Sequence, residues 1–354
     1  MSDHFISVIV AVKNEEEHIE KCLLSLIRQN YPKDSYRIVV VDGISTDQTT
    51  NVVNEYRSRY GNFIRLYHNP KEWQAAGRNL AIEREEESDL IAYIDGHCIA
   101  EKNWLRNLSE VLLQSNVDMA GVGSIIKSPP DESGLGRAID RIFSTKLGAA
   151  GTSYIPKKEL TVVHTVPFVL YRKKALFEVG LYDEEMRYGE DYSLNFKLRR
   201  AGYQLLVNPD AKVYYYKRKS VADFWSQMYN YGVTKAILGR RYPNSLRSIH
   251  YLPSLSLVLL LTFGFLGIVV SEAQYALGFI ITAYFCLLLL TSIYFSIREK
   301  DWGYIISIPI AYIVEHIGYS VGFIVGLTQK RWINENVFTE PPNEEGVFQK
   351  CRES

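Results

Sequence analysis

The chain has 354 residues, with 40 Lys plus Arg against 40 Asp plus Glu, so its formal net charge is zero. That length leaves room for two domains or one domain with an appendage. With no global basic field, no nucleic-acid partner is expected.

The four cysteines, Cys22, Cys98, Cys286 and Cys351, are scattered without metal or redox spacing. They imply free thiols in a reducing compartment. Met1-Ser2-Asp3-His4 runs straight into a strand pattern, so no signal peptide is expected.

Residues 5–12, apolar apart from Ser7, end at Lys13-Asn14 and have the pattern of a buried parallel strand. From Glu15 to Gln29, Ile19, Cys22, Leu23, Leu26 and Ile27 recur at amphipathic-helix spacing. Glu15, Glu16 and Glu17 at its start read as a solvated first turn favoured by the helix dipole. A second strand, 36–41, closes on Asp42-Gly43-Ile44-Ser45-Thr46-Asp47. Ser45 or Thr46 is placed to cap the helix that follows, which runs to about Arg59.

A short strand covers 63–67, and a helix over 73–84 carries Gly77-Arg78-Asn79 near its start. The fourth strand begins at Ile91 and ends abruptly in Asp95-Gly96-His97-Cys98. In extended backbone Asp95 and His97 leave the same face. A hard oxygen beside a borderline nitrogen suits a divalent cation, and Gly96 lets a ligand approach the backbone. A helix over 103–113 and a strand over 118–126 complete a βαβαβαβ alternation, which implies a parallel, doubly wound α/β sheet.

Ligands bind at the carboxyl edge of such sheets, where two of these strands deliver Asp42 and Asp95. No G-x-G-x-x-G follows the first strand and no G-x-x-x-x-G-K-[ST] occurs, so neither a dinucleotide fold nor a P-loop is supported. The phosphates of a nucleotide would be held by a metal at Asp95 and His97, with Arg78 nearby.

Residues 127–158 read as a loop with a short helix around 135–146, placed like a lid or acceptor loop. A strand over 162–172 follows, then Gly189-Glu190-Asp191 opens a helix that stops at Ala201-Gly202. Two acids at a helix start answer its dipole as readily as they serve chemistry. Late strands are expected at 203–207 and 212–216. The aromatic-rich segment 221–238, preceded by Lys217, Arg218 and Lys219, has the composition of a membrane-interface helix.

The apolar runs 253–270 and 275–297 contain no Lys, Arg, Asp or Glu and approach the roughly 20 residues a span needs. A hairpin at 271–274 joins them. A third run, 304–327, is interrupted by Pro309, Glu315 and His316, and its Gly318, Gly322 and Gly326 form a stripe suited to close packing. Glu315 and His316 should face protein or an acceptor headgroup.

Together these motifs resemble a family-2 glycosyltransferase of the GT-A fold. They are the first strand with Asn14-Glu15, the Asp42 turn, Gly77-Arg78-Asn79, Asp95-Gly96-His97 and Glu190-Asp191. The resemblance covers about residues 6–232. The Asp-x-His form, the segment 189–202 and the tail His316-x-x-Tyr319-Ser320-x-Gly322-Phe323 are similar to a membrane-bound branch that includes succinoglycan-type exopolysaccharide glucosyltransferases.

The resemblance implies that Val12, Asn14, Glu15, Asp42, Arg78 and Asp95 bind the nucleotide sugar, UDP-linked by expectation. It makes Asp95 and His97 ligands of Mg²⁺ or Mn²⁺. Of the catalytic pair Glu190 and Asp191, Asp191 would deprotonate the acceptor hydroxyl, with inversion. It also implies a lipid-linked saccharide acceptor and a multi-pass protein of the cell membrane with its catalytic domain in the cytosol.

On this reading the GT-A domain covers 1–220, an interfacial connector 221–250, membrane helices 251–330 and a polar tail 331–354. The Gln-x-x-Arg-Trp of processive synthases is absent, and Gln227 to Gly232 stand in its place. Tyr214-Tyr215-Tyr216 offers no late histidine for the metal. Addition of one sugar is therefore favoured over a processive polysaccharide synthase. The acid pair weighs against a polyprenyl-phosphate sugar transferase, whose lipid-phosphate acceptor needs no base.

Overall fold

A computed structural model describes residues 4–149 and 157–329, so the expected polar tail lies outside the described residues. The described chain forms two compact units, one of residues 4–125 and 157–213, the other of 126–149 and 214–329.

The first unit opens with β1 (Ile6–Val12), α1 (Ile19–Ile27), β2 (Tyr36–Asp42), α2 (Thr49–Tyr60) and β3 (Ile64–His68). Next come α3 (Gln74–Arg84), β4 (Leu90–Asp95), β5 (Cys98–Ala100), α4 (Trp104–Gln114) and β6 (Met119–Lys127). Helices α5 (Gly134–Phe143) and α6 (Lys146–Ala149) belong to the second unit. The chain returns with β7 (Thr161–Val162), β8 (Leu170–Arg172), α7 (Lys173–Glu178), α8 (Glu190–Arg200) and β9 (Gln204–Tyr215).

The strands order as β3-β2-β1-β4-β8-β6-β9-β5, with β7 on β9. β3, β2, β1 and β4 are mutually parallel, as the βα alternation predicts. All seven residues of β1 are buried, which is why Ser7 is its one polar residue.

The other half departs from the fully parallel expectation. β8 runs antiparallel between β4 and β6. The strand expected over 162–172 is two short strands, and the two late strands are one, β9.

Two helix starts also shift. α1 begins at Ile19, since Glu15 closes a turn whose carbonyl accepts from the N–H groups of His18 and Ile19. α2 begins at Thr49, where the Asp47 carboxylate accepts its N–H at 2.9 Å. Ser45 and Thr46 instead bind Asn14.

In the second unit α9 (Val221–Arg241) is followed by α10 (Leu252–Leu266), α11 (Ser271–Glu299) and α12 (Tyr304–Thr328). α10 stops at Leu266, four residues short of the expected run, and its 15 residues fall below the roughly 20 of a full span. The turn to α11 is therefore at 267–270, and Ser271 already belongs to α11.

α11 and α12 are long and apolar enough to cross a membrane. They differ in cover: 11% of the most apolar window of α11 is buried, against 50% for α12. α12 packs against α9 with backbone in near contact. A Cβ at Gly322 would lie 2.0 Å from the carbonyl of Tyr229, and one at Gly232 2.0 Å from that of Tyr319. The expected glycine stripe thus faces α9.

Glu315 is buried, and His316 Nδ1 meets the Tyr284 hydroxyl at 2.9 Å. Arg137 pairs with Asp301 at 2.9 Å, Arg141 pairs with Glu299, and Arg240 donates to the carbonyls of Leu327, in the last turn of α12, and Gln329, just beyond it.

Candidate active site

The register of the parallel strands assembles the site. β1 sets Val12 beside Asp42 of β2 and Ala11 beside Asp95 of β4. Neighbours of β1 on either side thus bring their terminal aspartates to one edge, where ligands bind in such sheets.

Asp42 is buried and accepts from the Ser45 N–H at 3.2–3.3 Å. Ile44 holds this turn at a φ of 62° with its side chain exposed, a strained conformation for a β-branched residue. Asn14, also at positive φ, ties the first strand to the same turn. Its N–H donates to Ser45 Oγ, and its Oδ1 accepts from the Thr46 N–H at 2.8 Å.

Gly96 and His97 form a turn after β4, so the expected extended Asp-x-His does not occur. The two side chains nevertheless converge: ligand atoms of Asp95, His97 and Cys98 lie within 4.8 Å of one another. Spacing alone gave Cys98 no metal role, because only the turn folds it back. An oxygen, an imidazole nitrogen and a thiol are a donor set that fits a divalent transition ion.

Glu15 was expected on a solvated turn. Its carboxylate instead meets His97 Nδ1 at 2.7 Å, while Glu16 turns away to accept from the Gln48 N–H.

Arg78 is the centre of charge. It is buried, with Tyr93 and Tyr182 rings at 4.2 and 5.3 Å from its guanidinium carbon. Its Nη2 reaches Asp95 at 3.2 Å and its Nη1 reaches Glu190 at 2.7 Å. Burial pushes the Glu190 carboxyl up to about 7, even against the pull of Arg78. Asp191, half-buried, accepts from its neighbour's N–H (Tyr192) at 2.7 Å and has no ion pair among the described residues. Asn79, next to Arg78, clamps the backbone of Tyr182 through both ends of its amide.

The structure thus joins Val12, Asn14, Glu15, Asp42, Arg78, Asp95, His97 and Glu190 through direct contacts or paired strand ends, with Asp191 next in chain. A separate cleft of about 680 Å³ opens at the start of β4, lined by Asp89, Arg172 and Tyr203 among others, and it gathers none of these residues.

Residues 7–180 match the model of glycosyl transferase family 2. A relative from Methanococcus voltae is 32% identical over 92% of this chain and 97% of its own length. The chain belongs to glycosyl transferase family 2. That relative is named dolichyl N-acetyl-alpha-D-glucosaminyl phosphate 3-beta-D-2,3-diacetamido-2,3-dideoxy-beta-D-glucuronosyltransferase.

A second family-2 relative, the succinoglycan biosynthesis protein ExoA of Rhizobium meliloti, is 29% identical over 65% of this chain and 68% of its own. Among solved structures, the mannosyltransferase PcManGT of Pyrobaculum calidifontis, in complex with GDP-Man and Mn²⁺, superposes with a TM-score of 0.58. It is 18% identical and covers 90% of this chain and 88% of its own, which supports the GT-A fold assigned to this family-2 chain.

Proposed function

We propose that this family-2 glycosyltransferase moves one sugar from a nucleotide sugar, UDP-linked, to a saccharide carried on a membrane polyprenyl phosphate, with inversion. One observation carries the reading. Arg78 links Asp95 to Glu190, 95 positions later in the chain, so the strand-end donors and the acid pair share one edge.

On this reading Asp42 faces the base, Val12 and Asn14 shape its seat, and Asp95 and His97 hold Mg²⁺ or Mn²⁺. A cation held there would supply positive charge against the leaving diphosphate. The acceptor hydroxyl oxygen attacks the anomeric carbon and its proton passes to the Asp191 carboxylate. The bond from that carbon to the diphosphate breaks, and the nucleoside diphosphate departs with the electron pair. Glu190, held by Arg78, keeps Asp191 at the opening of its helix.

The acceptor class follows the name of the Methanococcus voltae relative, in which the acceptor is a dolichyl phosphate carrying one sugar. The apolar helices of the second unit would anchor the chain in the cell membrane as a multi-pass protein. The catalytic unit would then lie in the cytosol, and a paired crossing by α10 and α11 would return Arg298, in the last turn of α11, and Lys300, just after it, to that side as the positive-inside rule requires.

The test is nucleotide release by purified protein from UDP-, GDP- and dTDP-sugars, with a polyprenyl-phosphate-linked saccharide as acceptor. Metal-dependent UDP release with one sugar added is expected. A long polymer, or an acid-labile sugar placed directly on the lipid phosphate, would replace the proposal with a synthase or a lipid-phosphate transferase.

A further inference from the structure

Three glutamates in succession, Glu15 to Glu17, meet the end of β1, and they part ways at once. Glu16 accepts from the Gln48 N–H and Glu17 lies 3.6 Å from His18, both at the periphery. Glu15 alone turns inward, to His97 Nδ1 at 2.7 Å.

This pair is built rather than incidental. The two side chains are only 20% and 15% exposed. The backbone of Glu15 is pinned from both sides: its N–H donates to Thr49 Oγ1 at 2.7 Å, and its carbonyl closes the turn into α1. Gly96 supplies the other half of the fit. A Cβ there would stand 2.8 Å from Val12 Cγ1 and 3.1 Å from Glu15 Cγ, so the Asp95-Gly96-His97 turn packs directly on the glutamate. A side chain at position 96 would push Glu15 away from the ring.

The chemistry of the contact then fixes the imidazole. An ionised carboxylate can only accept, so Nδ1 must carry the hydrogen. In the neutral ring the lone pair then sits on Nε2. Histidines that bind metals are commonly held this way, the second nitrogen donating to a carboxylate that sets ring orientation and basicity.

We infer that Glu15 is a positioning residue for His97: its carboxylate accepts a hydrogen bond from Nδ1–H and so presents Nε2 to the cation. The inference rests on the proposed metal role of His97 and gives Glu15 a task other than touching nucleotide.

The test uses the purified full chain, selectively ¹⁵N-labelled at histidine, with Mn²⁺ alone as probe. Ring nitrogen shifts of metal-free protein report the tautomer, and electron paramagnetic resonance of free Mn²⁺ reports affinity. Wild type should show His97 protonated at Nδ1. Glu15→Gln should lose that preference and weaken Mn²⁺ about 10–100-fold. Glu15→Asp, which keeps the charge on a shorter arm, should fall between, and circular dichroism should show all three folded alike.

If His97→Ala leaves Mn²⁺ affinity unchanged, the metal assignment and the inference fall together. If His97→Ala weakens it and Glu15→Gln does not, the inference alone fails. If Glu15→Gln loses Mn²⁺ while the His97 tautomer stays put, Glu15 is a ligand itself and the positioning role is overturned.

Discussion

Asp95 and Glu190 both reach Arg78, at 3.2 and 2.7 Å, yet their surroundings differ. The Asp95 side chain is 18% exposed at a strand end, with His97 and Cys98 turned toward it. Glu190 is 9% exposed inside the start of α8, and burial raises its carboxyl to about 7. The strand side leaves a carboxylate in reach of a cation from solvent. The helix side commits its buried acid to Arg78 and leaves the next residue, Asp191, outside that contact, where the proposed reaction needs a base. One arginine serves both sides, so each half's geometry depends on the other.

The largest effect should come from the helix side. Asp191→Asn keeps shape and hydrogen bonding but cannot take a proton, so turnover should fall about 10²–10⁴-fold. Nucleotide-sugar affinity should hold, because the proposed donor contacts lie on the strand side. Steady-state kinetics beside a donor-binding titration check this, and a loss explained wholly by donor affinity would erase the division of labour.

Arg78→Met tests the bridge. It strips the shared cation from two acids and should cost about 3–5 kcal/mol of stability, the usual penalty for breaking a buried pair from one side. Denaturant unfolding measures it. A cost under about 1 kcal/mol would mean the two halves stand independently.

The smallest effect is in pH. The folded-state pKa of Glu190 is raised from 4.5 to about 7, so between those values the folded chain holds a proton that the unfolded chain releases. This acid therefore lowers stability progressively as pH rises from about 4.5 to 7, and the loss is complete above that. Glu190→Gln, isosteric with the protonated acid, should remove that slope, a difference on the order of 1–3 kcal/mol across the window. Unfolding curves at pH 5 and 8 for both proteins give the comparison, and parallel slopes would place the titration elsewhere.

How much of this could be read from residues depended on locality. β1, β2 and β4 announce themselves because strands buried on both faces are nearly continuous apolar runs, interrupted before their ends only by Ser7 in β1 and Arg37 in β2. β8 has three residues and no periodicity to detect. β9 looked like two strands because Asn208-Pro209-Asp210 resembles a turn, yet the strand continues with the Asn208 amide bonding to Asn107.

Asp95 and His97 were legible as a pair, two positions apart at a strand end. The contact of Arg78 with Glu190 spans 112 positions, and nothing local signals it. Glu15 was hidden by its neighbours, since three glutamates in a row look alike until the backbone turns one of them. The end of α10 at Leu266 was missed because apolar content runs on to Val270 while the helix does not.

The glycine-lined pairing of α9 with α12 also sets an order of events during synthesis. Trp225 lies by Gly318, Tyr229 by Gly322 and Val233 by Gly326, each contact joining points about 90 residues apart in the chain. At about 5–20 residues per second, α9 precedes its partner by roughly 5–20 s. In that interval α10 and α11 emerge, while the face of α9 around Gly232 has not yet met the helix that covers it. The second unit closes when its last helix arrives.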